Sequence, residues 1–384
     1  MPDYRPFRPY YRLIAACLLL AAFAPIVPFA GQIHAQDDTA LPTWEPADCP
    51  FETAEIPRTI ECGYMIVPED RAAPDGPTIK LMVAILHSTA EAPLSDPVVY
   101  LDGGPGDGPT HYPETWMNSP ILDNRDLILL DQRGTGHSEP SLNCPEMDDE
   151  RMILLGEDVD LDTWLDRMDS AARACHDRLV ADGVNLAGFT SAASAADVAD
   201  LRAALGLDEI NLYGISYGTR LALTVLRDHP EGIRSVVLDS SYPTVVNAFP
   251  SVPSSADRAF EEFFAACTAG ESCPDDLETV LSDVVARLNA EPVALTVEDL
   301  LTGEDVDVLM TGEVLLSMMF NMMYSAELIP MIPTIIDFAD SGLMSPVAQI
   351  AVLFYSQLST NSEGMGFSLN CAEEFPFHAE NELG

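Results

Sequence analysis

The stretch Tyr213-Gly214-Ile215-Ser216-Tyr217-Gly218-Thr219-Arg220 decides the fold of this chain. It begins at the end of a short apolar run, residues 210–213, and continues into a helix-compatible run, residues 219–227. A G-x-S-x-G string between a strand and a helix predicts a sharp turn that lifts the serine hydroxyl clear of a sheet. We therefore predict that Ser216 is a nucleophile. A serine that merely fills a tight turn is the alternative.

Strand and helix patterns surround this turn. Apolar runs at 97–101, 126–130, 210–213 and 235–238 are typical of buried parallel strands. Residues 62–69 and 78–87 alternate in polarity and should pair in the same sheet. Residues 194–205 predict a helix with Ser194 as its N-cap and Gly206 after its end. Strands that alternate with helices predict an α/β fold with a doubly wound, mostly parallel sheet.

A glycine-rich loop, Asp102-Gly103-Gly104-Pro105-Gly106-Asp107-Gly108, follows the first of these apolar runs. Acyl transfer needs two main-chain N–H groups aimed at the developing oxyanion, and glycine lets the main chain approach a substrate closely. We predict that the amides of Gly104 and Tyr217 form this oxyanion hole. Taken alone, the glycine-rich string would fit a simple turn equally well.

Together these motifs resemble those of the proline iminopeptidases and tripeptidyl aminopeptidases. The glycine loop is similar to their H-G-G-P-G signature, with Asp102 where many relatives carry His, and residues 131–138 resemble their D-Q-R-G-x-G-x-S segment. The resemblance covers almost all of the chain after the leader and implies an α/β-hydrolase fold with an inserted helical cap. It also implies that the loop bearing Asp131 and Arg133 supports the site as scaffolding.

Four segments are predicted along the chain. Residues 1–35 form a signal peptide, because three arginines precede a long apolar run that prolines interrupt. A lipoprotein box ending at Cys17 and an uncleaved anchor are the alternatives. Residues 36–245 are the N-terminal part of the hydrolase core, 246–367 an all-helical cap, and 368–384 the start of the return to the core. We expect a secreted or periplasmic protein without stable membrane association after signal cleavage.

The predicted cap is rich in methionine, and its sequence shows helical patterns without an evident strand pattern. Its soft apolar side chains suit either a substrate groove or an ordinary helix core. The methionines concerned are Met310, Met318, Met319, Met322, Met323 and Met331.

Export to an oxidising compartment makes disulfides the expected state of most cysteines. Pairing of neighbours in the sequence predicts the bridges Cys49–Cys62, Cys144–Cys175 and Cys267–Cys273. Cys371 is not included in these pairs. We expect it to be either a free thiol or bonded to a cysteine beyond residue 384.

The catalytic acid and histidine are not evident in the sequence. In this fold they follow the nucleophile, and only His229 and His378 come after Ser216. Neither lies in the expected context of a strand end, and Asp239 would have no histidine to orient. We therefore expect the acid, the histidine and the last core strands to lie beyond residue 384, so that the chain is truncated.

Near the end of the chain, Glu373 and Glu374 resemble the acidic cap residues with which exopeptidases of this type bind the free amino group of a substrate. A solvated acidic turn is the alternative, because the chain is so acidic. It has 62 Asp and Glu against 18 Lys and Arg, a formal net charge of -44. Such a surface repels a phosphate backbone, so we exclude nucleic acid as a partner.

The sequence as a whole predicts a secreted serine aminopeptidase that acts on peptide or small ester substrates. A carboxylesterase on the same scaffold and a non-catalytic binding protein are the alternatives. No metal-ligand spacing is present, and we expect neither a metal nor an organic cofactor.

Overall fold

The computed structural model of the chain describes residues 42–53, 58–247, 251–270, 273–274, 276–357 and 360–377. The predicted signal peptide with Cys17, and also His378, lie outside the described residues.

A central sheet contains the strands β1 (Thr43–Ala47), β2 (Ile60–Pro68), β3 (Thr78–Leu86), β4 (Val98–Leu101), β5 (Leu127–Leu130), β6 (Ile210–Ile215) and β7 (Ile233–Asp239). Their order across the sheet is β1-β2-β3-β5-β4-β6-β7. The last four in this order run parallel to one another, whereas β1, β2, β3 and β5 pair successively in antiparallel fashion. The predicted strands and the mostly parallel α/β sheet are confirmed.

Helices cover the sheet and fill the first hydrophobic core. They are α1 (Pro145–Leu155), α2 (Leu161–Ala181), α3 (Ser191–Ala204) and α4 (Tyr217–Asp228). The predicted N-cap of α3 at Ser194 is wrong, because the Thr190 side chain accepts a hydrogen bond from the Ala193 N–H and starts the helix one turn earlier. Gly206 has a φ of 64° and follows the end of the helix as predicted.

A second hydrophobic core lies in the predicted cap. It includes the helices α5 (Val252–Ala269), α6 (Leu277–Ala290), α7 (Gly312–Met322), α8 (Ile332–Ser341) and α9 (Met344–Gln357). The prediction of an all-helical cap is wrong, because β8 (Val293–Glu298) and β9 (Asp305–Met310) form an antiparallel hairpin. The alternation of valines with polar residues in both strands, and Gly303 between them with a φ of 75°, were the signals that sequence reasoning missed.

The methionines of this region mostly serve as core. Met310, Met318, Met319 and Met322 are all buried in the second core. Only Met331 of the six is strongly exposed, at 45%. This burial confirms the interpretation as ordinary core and not as a groove surface.

The chain returns to the first core at α10 (Glu363–Glu373), where Met365 and Leu369 are buried. The predicted boundary between residues 367 and 368 therefore falls inside this helix. At one edge of the sheet, β7 is the last strand, and its side chains Val237 and Leu238 are 56% and 37% exposed. The expectation that further core strands follow residue 384 stays a prediction.

Disulfides join the three predicted pairs, with Cα–Cα distances of 5.1 Å for Cys49–Cys62, 5.3 Å for Cys144–Cys175 and 5.1 Å for Cys267–Cys273. Cys371 is also disulfide-bonded within the 384 residues, so both expectations for it, a free thiol and a partner beyond residue 384, are wrong. Within the described part of the chain, no helix combines the length and apolarity needed to cross a bilayer.

Candidate active site

Ser216 lies at the sharp turn between β6 and α4. Its backbone has a φ of 51° and a ψ of -121°, and its N–H donates to the Asp239 carbonyl at 3.0 Å. Positive φ is rare for a residue with a side chain and marks local strain. A Cβ at Gly214 or Gly218 would overlap main-chain oxygens of the neighbouring turn and of β4. The two glycines therefore permit the turn, and the serine at its apex is exposed to solvent.

Because the turn is strained, a glycine at position 216 is expected to stabilise the protein, whereas most glycine substitutions destabilise one. Ser216→Gly should raise the free energy of unfolding by about 1 kcal/mol, because glycine adopts positive φ without a Cβ clash. Urea titration followed by tryptophan fluorescence would measure the change. As a control, Ser170→Gly in the middle of α2 should lower the free energy of unfolding by about 0.5–1 kcal/mol. A loss of stability in Ser216→Gly would contradict the strained turn.

The glycine loop lies directly against the serine. A Cβ at Gly103 would be 3.2 Å from the Ser216 Cβ, and the next residue, Gly104, has a φ of 98°. Tyr217 is the first residue of α4, and amides of the first helical turn have no acceptor within the helix. The loop and the helix start are thus adjacent to the hydroxyl, as an oxyanion hole would require. The assignment of the Gly104 and Tyr217 amides as its donors stays a prediction.

The segment after β5 anchors the glycine loop. Asp131 is fully buried and accepts hydrogen bonds from the N–H groups of Thr110 at 3.0 Å and His137 at 2.7 Å. Gln132 Nε2 donates to the Asp102 carbonyl at 3.1 Å. These contacts agree with the expected scaffolding role of this segment.

Arg133 extends the same scaffold into the core. It is fully buried and forms a bidentate pair with Asp197 of α3, at 2.7 and 2.8 Å. Its guanidinium also donates to the carbonyl of Glu69 at 2.8 Å. The pair joins the segment after β5 to α3 and to the end of β2.

No histidine forms a hydrogen bond with Ser216 among the residues that the structure describes. His229 is the C-cap of α4, at the opposite end of the helix. A helix of this length separates its ends by about 18 Å at 1.5 Å per residue, so His229 does not reach Ser216. The Asp239 carboxylate lies at the end of β7 and accepts from the Tyr213 hydroxyl at 3.0 Å.

Comparison with known proteins agrees with this arrangement. Residues 96–272 match the model of the alpha/beta hydrolase fold family, over a span that contains both the glycine loop and Ser216. The expected α/β-hydrolase fold is therefore confirmed.

Curated proteins that are similar to this chain include peptidases. A tripeptidyl aminopeptidase of Streptomyces lividans is 31% identical over 210 residues, which cover 51% of this chain and 37% of that protein. The serine protease Hip1 of Mycobacterium tuberculosis H37Rv is 26% identical over 242 residues, which cover 60% of this chain and 46% of that protein. The chain thus spans less than half the length of either relative.

A solved structure of proline iminopeptidase from Mycobacterium smegmatis is also similar to this chain. It is 17% identical, with 58% of this chain and 54% of that chain covered and a TM-score of 0.32.

The glycine loop carries two carboxylates that are shielded from solvent: Asp102 is buried and Asp107 is half-buried. Asp102 accepts hydrogen bonds from the Tyr100 hydroxyl at 2.9 Å, from the Gly103 N–H at 2.8 Å and from the Tyr112 hydroxyl. Burial raises the pKa of Asp102 despite these donors. Burial, reinforced by the charge of Asp102, raises the pKa of Asp107 to about 6. Proton uptake by Asp107 is therefore favoured in the folded state.

This raised pKa predicts the pH dependence of an Asp107→Asn variant. A carboxyl whose folded pKa of about 6 exceeds its ordinary 3.8 loses stability as pH rises between these values. The variant lacks this loss, so it should be more stable than the wild type by about 1–3 kcal/mol at pH 7 and nearly equal to it at pH 3.5. Urea titrations at both pH values would measure the difference.

The matched control for this prediction is Asp177→Asn, since the Asp177 side chain is 82% exposed. It should change stability by no more than about 0.5 kcal/mol at either pH. A destabilised Asp107→Asn variant at pH 7 would mean that the Asp107 charge is favourable in the fold.

Both predicted amine-binding carboxylates already have protein partners. Glu374 is buried and pairs with Arg220 of α4 at 2.6 Å. Glu373 accepts hydrogen bonds from the N–H of Ser191 at 2.6 Å and from its hydroxyl at 2.7 Å, at the start of α3. The Ser191 hydroxyl also contacts the Tyr217 hydroxyl at 2.9 Å. The alternative of a solvated acidic turn is therefore wrong for Glu374.

These carboxylates border a cavity of about 590 Å³. Its lining includes Ser191, Arg220, Thr224, Asn247, Glu373 and Glu374.

Proposed function

We propose that the protein is an exported serine hydrolase that releases N-terminal residues or short peptides through an acyl-enzyme on Ser216. The observation that carries the proposal is the exposed serine at a positive-φ turn between a central strand and a helix. The aminopeptidase named among the relatives supports the substrate class. The disulfides support export, because such bonds persist in oxidising compartments.

In this mechanism the Ser216 Oγ attacks the carbonyl carbon of a peptide bond. The amides of Tyr217 and Gly104 donate to the oxygen as it becomes negative, and the positive end of the α4 dipole adds to this stabilisation. The acyl-enzyme forms as the amine leaves, and water then releases the acyl group.

A histidine must accept the Ser216 proton and pass it to the leaving amine. We propose that this histidine and its orienting acid come from outside the described residues. None of the five described histidines forms a hydrogen bond with the serine, which supports this assignment.

For recognition of the substrate amine, Glu373 is the better candidate of the two carboxylates. An incoming ammonium group would compete with the Arg220 guanidinium for Glu374. Glu373 accepts hydrogen bonds from neutral Ser191 donors. The Arg227 guanidinium on the same cavity interacts with its charge without an ion pair at contact distance in the contacts described, so a substrate ammonium would displace no bonded cation. Its position on the lining of the cavity gives a substrate amine room to approach.

The deciding experiment uses the protein expressed from its natural gene, with any residues encoded after Gly384 present. A tripeptide aminomethylcoumarin amide with a free amino group is compared with its N-acetylated form and with a p-nitrophenyl ester. The proposal predicts turnover of the free peptide at least about tenfold faster than of the acetylated one. Equal turnover of both peptides with fast ester cleavage would favour a carboxylesterase, and no turnover would favour a binding protein.

The origin of the base is tested with a fluorophosphonate probe on the 384-residue chain. Slow labelling of Ser216 is expected if the histidine lies beyond these residues. Fast labelling that His378→Ala abolishes would assign the base to His378. Fast labelling that survives this substitution would contradict a base outside the described residues.

A further inference from the structure

Two residues directly before α10, Asn361 and Ser362, lie against the glycine loop. The Asn361 Nδ2 donates to the Asp107 carboxylate at 3.0 Å. The next residue, Ser362, donates its N–H to the Gly106 carbonyl at 2.9 Å. One side-chain and one main-chain bond therefore join this two-residue segment to the loop.

Two glycines of the loop leave the space that this contact occupies. A Cβ at Gly106 would overlap the Asn361 Oδ1 and would be 2.8 Å from the Ser362 carbonyl. A Cβ at Gly104 would be 3.1 Å from the Asn361 Nδ2. Both glycines also have positive φ, at 98° for Gly104 and 131° for Gly106. The close approach of Asn361 thus requires the two glycines that carry the positive φ angles.

The opposite side of the same loop contacts the nucleophile. A Cβ at Gly103 would be 3.2 Å from the Ser216 Cβ and 3.6 Å from its Oγ. The loop is therefore held between Ser216 on one side and Asn361 on the other. A displacement of Asn361 would move the main chain that faces the serine hydroxyl.

Asn361 itself rests on a rigid support. The Ser362 hydroxyl donates to the Asn143 side chain, and the Gly364 N–H donates to the Leu142 carbonyl at 3.0 Å. The adjoining Cys144 is bonded to Cys175 of α2. These contacts hold the segment at a fixed place on the first core.

We propose that Asn361 is a positioning residue that holds the glycine loop in the conformation that binds the oxyanion. This role rests on the proposed function of Ser216. It makes the catalytic geometry depend on how the residues directly before α10 dock onto the first core. Asn361 and Asp107 are 254 residues apart in the sequence, so the contact exists only in the folded protein.

The test uses Asn361→Ala and the nearly isosteric Asn361→Asp in the protein expressed from its natural gene. Asn361→Asp replaces the donor with an oxygen that faces the Asp107 carboxylate. Both variants should lower kcat for peptide cleavage about 10- to 100-fold, with KM changed less than threefold, because the loop acts on the transition state. A peptide aldehyde, whose adduct carries the oxyanion, should lose affinity by a similar factor.

The control is Asn321→Ala on α7, whose amide donates only to the Ser317 carbonyl of its own helix in the contacts described. It should leave kcat and KM within twofold of the wild type. Circular dichroism would establish that each variant is folded, and if Asn361→Ala is not, Asn361→Asp decides.

Folded variants with wild-type kcat and aldehyde affinity would overturn the positioning role and leave the proposed function intact. A loss confined to KM would overturn it also, since it would mean substrate binding only. A wild-type protein without Ser216-dependent turnover would overturn both proposals.

Discussion

Replacing Ser216 with alanine is expected to lower kcat for N-terminal peptide cleavage about a millionfold in the protein expressed from its natural gene. The variant keeps the strained turn but has no hydroxyl, so no acyl-enzyme forms. Residual turnover would come only from substrate binding and the oxyanion donors. Initial rates on the free tripeptide amide, with the fluorophosphonate label as a second readout, would measure the loss.

The matched control is Ser170→Ala, on the surface of α2, whose hydroxyl donates only to the Asp166 carbonyl of its own helix in the contacts described. It should retain activity within twofold. A Ser216→Ala variant with more than about one hundredth of wild-type activity would mean that another group is the nucleophile.

The second large effect concerns stability. Arg133→Met should lower the free energy of unfolding by about 3–5 kcal/mol, because the Asp197 carboxylate loses its bidentate partner inside the core. The Arg71 guanidinium still pairs with Asp197, but the carbonyls of Glu69 and Gly188 lose their donor.

Urea unfolding followed by tryptophan fluorescence suits this measurement, since Trp44 and Trp164 pack on the first core. The control is Arg173→Met, which removes an exposed pair with Asp169 four residues earlier on α2 and should cost at most about 0.5 kcal/mol. The double variant Arg133→Met with Asp197→Leu should recover part of the loss, because the buried carboxylate that lost its bidentate partner is then absent. Similar small losses in both single variants would contradict the structural role of the buried pair.

Local patterns carried most of the fold prediction. The strand, the turn and the helix around Ser216 are contiguous, and each has its own signal in apolar runs and glycine positions. The three predicted disulfides close short loops, of which the longest separates its cysteines by 31 residues. The β8–β9 hairpin had a signal too, in its alternating valines, but it was masked by the helical segments on both sides.

Such local patterns do not predict the partners of the acidic residues. Glu373 and Glu374 are adjacent in the sequence, yet one caps α3 and the other forms a buried pair with Arg220. No periodicity indicates which of 62 acidic residues meets a particular arginine. Only the packing of α10 against α3 and α4 decides it.

The amino-acid sequence by itself determined the α/β sheet, the nucleophile turn and the glycine loop, because each depends on conformational preferences within a few residues. The tertiary structure alone decided what surrounds them: the Asn361 contact with the glycine loop, the buried Arg133–Asp197 pair and the engagement of both terminal carboxylates. Those contacts join residues far apart in the chain, and their energy depends on desolvation and geometry that exist only after the cores have formed.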